Sequence, residues 1–215
     1  MIVPGGGFLS SIYDKFCSLV KSIQYFNSFV DQQGVTWSNT GGSISGGQYI
    51  SGANTDKAVY AITPSFAGDF SIEVSFSLSG STGFWIVNPF SSCSIFAVND
   101  VTFTHPVSIE LVGYNNQTLQ WTVNGTRRPL GISASSGVLA LTRASGTYHL
   151  FLNGALIDSV ADANNSSISA SLFGGTQLNG LNWFASAAFD NIRITGACRY
   201  VNTYSIPAIP YPACP

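Results

Sequence analysis

Residues 137–160 read GVLALTRASGTYHLFLNGALIDSV, three apolar-rich runs separated by Ser145-Gly146 and Asn153-Gly154. Asn-Gly between such runs is the strongest short-range signal for a tight type I′ reversal, so this stretch predicts three consecutive antiparallel strands. Working outward, residues 68–80 read GDFSIEVSFSLSG. Phe70, Ile72, Val74, Phe76 and Leu78 fall on one face; Ser71, Glu73, Ser75 and Ser77 fall on the other. That strict period of two predicts a strand with one face on a core and one in water. PVSIELVGYNNQTLQWTVNG, residues 106–125, reads as a hairpin that turns at Asn115-Asn116 and points Leu119, Trp121 and Val123 inward. A second reversal follows at Asn124-Gly125. In FASAAFDNIRIT, residues 184–195, Ile192 and Ile194 point inward and Arg193 outward. FWIVNPFSS and SIFAVND are shorter strand candidates. Tyr49-Ile50 and residues 58–62 are early ones, the latter ended by Pro64. After residue 195, Pro and aromatic residues alternate through Tyr211 as an extended strap. Many short strands with Gly and Asn turns, and no alternation of strand with helix, predict an all-β fold: a two-sheet antiparallel sandwich.

Residues 1–34 differ from residues 35–215 and are expected to form an N-terminal arm or short helix ahead of the sandwich. Phe8, Ile12, Phe16, Leu19, Ile23, Phe26 and Val30 recur at steps of three and four, a helical stripe. Two readings stand beside each other. The segment covers an open face of the sandwich, or it is an anchor or oligomerisation segment that needs an apolar partner. Its β-branched and aromatic content also leaves room for a strand.

Composition narrows the function classes. The 215 residues are 45% hydrophobic but only 8% charged, with a net charge of -2, far below the ~25% charged residues of an average domain. Such a surface repels its neighbours weakly and suits a subunit packed into an assembly, including a homo-oligomer. No Lys/Arg cluster suggests nucleic acid; Arg127-Arg128 reads as a solvated loop pair. Cys17, Cys93, Cys198 and Cys214 contain no C-x-x-C pair, and there are two histidines, so no zinc or other metal site is expected. The thiols are expected to be free, Cys198 and Cys214 being the pair if any forms. No apolar run reaches transmembrane length and no export signal precedes the strands. The N-x-S/T sites at Asn116, Asn124, Asn164 and Asn165 therefore read as turn chemistry.

Residues 137–160 also resemble the middle of concanavalin A-like, laminin G-like domains. FDNIRITGACRYVNTYSIPAIPYP, residues 189–212, resembles an ending that recurs in such domains of tailed-bacteriophage structural proteins, with Asp190, Arg193, Thr195, Arg199, Tyr200, Pro207 and Pro210 in matching places. FSIEVSFSL is similar to the strand that opens that region. The resemblance spans roughly residues 66–212. It implies a jelly-roll sandwich in a virion, with capsid or tail proteins as partners and no catalysis. Two features depart from the pattern. Ser136-Gly137 replaces the usual Trp-His, and the acids that hold calcium in some relatives have no clear counterparts.

The residues agree with a binding or building role. A glycosidase would need two carboxylates about 5–10 Å apart. Glu73 and Glu110 each stand alone in sequence and read as solvated strand charges. His105 and His149, the available bases, flank no nucleophile elbow. Asp158, Asp162 and Asp190 form no calcium pattern, and no cofactor is implied. For ligand binding, Trp85 and Trp183, with Asn182, could stack on and hydrogen-bond a host surface glycan, although each tryptophan suits a sandwich core equally well. Expectation therefore centres on a non-enzymatic virion surface protein, a capsid decoration or tail component. A free lectin-like module is the second reading.

Overall fold

A computed structural model describes residues 23–28, 31–33, 36–51, 57–79, 92–98, 107–112, 118–124, 126–163, 167–174 and 186–206. Their strands, in chain order, begin with β1 (Ile23–Ser28), β2 (Asp31–Gln33), β3 (Thr36–Thr40), β4 (Ser43–Ser45) and β5 (Gln48–Ser51). Next come β6 (Lys57–Phe66), β7 (Phe70–Ser79), β8 (Ser92–Val98), β9 (Val107–Val112), β10 (Thr118–Val123) and β11 (Thr126–Ser133). The last are β12 (Ser136–Ala144), β13 (Thr147–Leu152), β14 (Ala155–Ala161), β15 (Ile168–Gly174) and β16 (Ser186–Thr195). The described residues contain no helix.

One sheet runs β14-β13-β12-β7-β16-β1-β2, with β5 on β16 and β4 on β5; the other runs β11-β10-β9-β8-β15-β6-β3. Neighbouring strands pair antiparallel, and the result is the expected jelly-roll sandwich. Between the sheets lie Phe70, Ile72, Val74 and Phe76 of β7, Leu119, Trp121 and Val123 of β10, and Leu139, Leu141, Tyr148, Leu150, Phe189, Ile192 and Ile194. Trp121 is fully buried and its Nε1–H donates to Asp158 Oδ2 at 3.1 Å. This contact joins the edge regions of the two sheets. Ser145-Gly146 and Asn153-Gly154 form the expected turns, with φ values of 48° and 75°, and of 52° and 80°. Both residues of each turn are left-handed, as the twist of the flanking strands requires.

Three expectations need correction. Ile23–Ser28 is a strand, not the continuation of a helical stripe, and it pairs with β16 through Ile23↔Thr195 and with β2 through Phe26↔Gln32. The flank of β16 offers backbone partners that outweigh a three-four spacing in a β-branched and aromatic segment. Pro64 does not end its strand. It lies inside β6, where the register with β15 jumps between Ile168↔Phe66 and Ala170↔Ala61; at such a bulge the missing N–H costs no ladder bond. Finally, the polar face of β7 is not in water throughout: Ser71 and Glu73 are as buried as the core.

Candidate functional site

Period-two alternation places the same-parity residues of three neighbouring strands in rows on the outer face of the β7 sheet. By register, the rows are Thr195–Ser71–Thr142, Arg193–Glu73–Ala140, Asp190–Ser75–Val138 and Ala188–Ser77–Ser136. The first two rows are roofed by the chain itself. Residues 196–206 leave the foot of β16 and cross to the β13–β14 turn. Ser71 Oγ donates to Ala197 O at 3.0 Å and accepts from Arg199 N at 2.8 Å. Thr142 Oγ1 donates to Tyr200 O at 2.7 Å, and Tyr204 N donates to Gly154 O at 2.9 Å.

Beneath this strap lies a charged clasp. Arg193 pairs with Glu73 through its Nε and Nη2, both partners nearly fully buried. Arg193 Nη2 also donates to Tyr200 Oη at 2.7 Å, and Tyr204 Oη donates to the second Glu73 oxygen at 3.1 Å. The two tyrosine rings stack at 3.5 Å and 3°, and Phe151 meets both edge-on. A buried ion pair survives desolvation only when its remaining donors and acceptors are satisfied, and these tyrosines do that. Glu73 is therefore not a solvated strand charge. Arg193, Thr195 and Tyr200, which carried the resemblance of the ending, are the parts that fasten the strap; Thr195 Oγ1 donates to Ala197 O at 2.9 Å.

Of the upper two rows, Val138 is buried beside the β13–β14 turn that the strap reaches. Ser75 and Asp190 are half-buried, and Ser77 and Ser136 are exposed. Asp190 Oδ1 accepts from Asn191 N at 2.8 Å, where Asn191 takes a left-handed φ of 48° in a bulge. Burial holds the Asp190 carboxyl above the ordinary carboxylate range, with the Asn191 N–H and the Gln48 side chain pulling the other way. One step further, Ser79 pairs with Ser186. From this pair the chain continues into residues 80–91 on one side and arrives from residues 175–185 on the other. Trp85, Asn182 and Trp183 belong to those segments and lie outside the described residues, as do Phe8, Ile12, Phe16 and Leu19. Ile23 and Phe26 are on β1. The polar group of Asp190, Gln48, Ser75, Ser77 and Ser136 was missed because only strand register assembles it. The one available signal was Asp190 within the recurring ending.

Could these rows do acid–base chemistry? Glu73 and Asp190 are diagonal neighbours, a geometry that separates side chains by roughly 7–8 Å, within the range of an inverting glycosidase pair. However, both Glu73 oxygens are engaged and roofed, so this carboxylate has no route to a substrate proton. His149 Nδ1 meets Ser159 Oγ at 2.8 Å on the same face, and burial lowers the imidazole's affinity for protons. The nearby acid, Asp158, accepts from the Ser159 N–H rather than being bonded to the ring. Asp158 also binds Arg128 Nε at 2.8 Å, so Arg128 is an ion-paired residue of β11, not a loop charge. Asp162 binds Arg143, whose Nε donates to Gly68 O. Among the described residues no group of three or more His, Cys, Asp or Glu could hold a metal ion.

No family model matches this chain, and no curated protein matches it. Solved structures do share its fold. Trypanosoma rangeli sialidase aligns with a TM-score of 0.64 and 10% identity, over 83% of this chain and 31% of that one. Botulinum neurotoxin type C, which depends on interaction with two ganglioside molecules to get into cells, aligns at 0.55 and 14%, over 85% and 50%. The binding domain of botulinum neurotoxin DC, in complex with rat synaptotagmin II, aligns at 0.54 and 14%, over 82% and 48%. The chain thus spans between about a third and a half of these proteins. At such identities the likeness establishes a shared sandwich fold.

Proposed function

We propose that this chain is a non-catalytic carbohydrate-binding subunit displayed on the surface of a virion. The ligand end is the upper part of the β7 sheet, and Trp85, Trp183 and Asn182 contribute from the two segments that meet at Ser79 and Ser186. The observation that carries the reading is the division of one face. Its lower rows are sealed by the strap and the Glu73–Arg193 clasp, while Asp190, Ser75, Ser77 and Ser136 of the upper rows are half-buried or exposed, and those rows continue to the strand ends where both tryptophan segments are rooted. Sugar sites combine a few placed polar groups with an aromatic platform. Sandwiches of this fold occur in a sialidase and in neurotoxin binding domains alike; what favours binding over catalysis is that both Glu73 oxygens are engaged beneath the strap. The phage-like ending and the low charge support a virion setting, with capsid or tail proteins as partners and Phe8, Ile12, Phe16 and Leu19 as contacts in assembly.

Titration of the full chain against a glycan panel tests the reading. Trp85→Ala or Trp183→Ala is expected to weaken binding about tenfold, the loss of roughly 1.4 kcal/mol of ring stacking. A gold-labelled antibody is expected to mark phage heads or tails. No binding to any glycan, with no label on any particle, refutes the proposal.

A further inference from the structure

We infer that the sugar taken by this face is uncharged, received by Asp190 together with Gln48, Ser75, Ser77 and Ser136, and that sialylated and sulfated glycans are refused. The inference rests on the glycan-binding reading above and adds the ligand's chemical class.

The argument begins with what a sugar asks of a protein. Vicinal hydroxyls need acceptors, and a carboxylate offers two oxygens with about four lone-pair sites. Asp190 has one oxygen bonded to the Asn191 N–H. It stands in the row of half-buried Ser75, one row below exposed Ser77 and Ser136. The serines are short and neutral, so an approaching ring meets hydroxyls and an amide rather than bulk. Gln48, hydrogen-bonded to Asp190, supplies an amide at the same place.

An acidic glycan asks for something else: a free cation, preferably a guanidinium with its paired donors. Among the described side chains, the arginines near this sheet are already committed. Arg193 is held by Glu73, Arg143 by Asp162 and Arg128 by Asp158. Arg199 lies over the Tyr200 ring, and its N–H binds Ser71. That is the opposite end of β7, about 13 Å along the strand from Ser75 at ~3.3 Å per residue. What faces the ligand is therefore a carboxylate whose ionised form burial already disfavours. A second anion beside it adds like-charge repulsion, one of the repulsive elements by which a site rejects an analogue.

The test is a titration of the full chain against neutral gluco-, galacto- and manno-oligosaccharides and their sialylated and sulfated counterparts. Asp190→Asn and Gln48→Ala are the variants, and circular dichroism confirms that each is folded. Binding confined to neutral glycans, weakened about tenfold or more in Asp190→Asn and less in Gln48→Ala, supports the inference. Equal or tighter binding of acidic glycans overturns it while leaving the binding role standing. Neutral binding that both variants leave unchanged also overturns it, because the sugar then sits elsewhere. No binding of any glycan removes the underlying reading as well.

Discussion

Replacing Arg193 by Met should open the strap. The substitution keeps most of the side-chain volume but leaves the Glu73 carboxylate buried without its cation and Tyr200 Oη without its donor. Removing one member of a buried ion pair costs about 3–5 kcal/mol, a large part of the 5–15 kcal/mol that holds a typical domain together. For a chain of this size that is a fall of about 6–20 °C in Tm. Urea melts followed by tryptophan fluorescence read the stability. Tryptic cleavage after Arg199, an exposed residue of the strap, reads local release. Both should move together: a lower midpoint and faster cleavage at Arg199. The companion double variant, Glu73→Leu with Arg193→Met, removes both charges and should recover much of the loss, since an apolar pair of similar size replaces an ion pair at little net cost. Wild-type stability and unchanged cleavage in Arg193→Met would show that the clasp does not hold the strap. A double variant worse than either single would show that the charges are not one unit.

Two more substitutions probe the supports of this arrangement. Gly154→Ala introduces a Cβ 2.2 Å from the Tyr204 carbonyl oxygen at a φ of +80°, and should cost about 2 kcal/mol in urea melts and speed cleavage at Arg199. Asp158→Asn tests the bond between the sheet edges. Burial raises the Asp158 pKa, but hydrogen bonds from Arg128, the Ser159 N–H and Trp121 outweigh it, so the folded value lies below the ordinary one. The stability this lends is present above the unfolded value near pH ~4 and is lost as pH falls through the folded value. Melts across the acid range should thus be flatter in Asp158→Asn, with less than about 1 kcal/mol lost at neutral pH because Arg128 is partly exposed.

What the sequence reveals and hides follows the range of the forces. The three strands from β12 to β14 were legible because Asn153-Gly154 and a two-residue period are local signals, and Leu119, Trp121 and Val123 point inward as their alternation requires. Ser71 and Glu73 look solvent-facing by the same rule, and the rule fails because their cover arrives from residues more than 120 positions away. A clue was present, however. Glu73 and Arg193 are opposite charges on the polar sides of two well-patterned strands, and such strands are candidates to be neighbours. Ile23–Ser28 shows the reverse failure, in which a spacing compatible with a helix gave way to backbone partners that only the assembled sheet supplies. Asp190 and Gln48 meet through β5 and β16 pairing, which no local pattern announces.

The strap also sets an order in time. During synthesis β7 leaves the ribosome long before Tyr204 exists, and Glu73 must wait for Arg193, 120 positions later, and for Tyr204, 131 positions later. Until then the nascent chain carries an uncompensated carboxylate on a half-made sheet. Closure across such a separation is slow, because loop entropy is spent before any contact returns it. The same delay keeps a charge on the unfinished face, which discourages premature stacking of nascent sheets on one another.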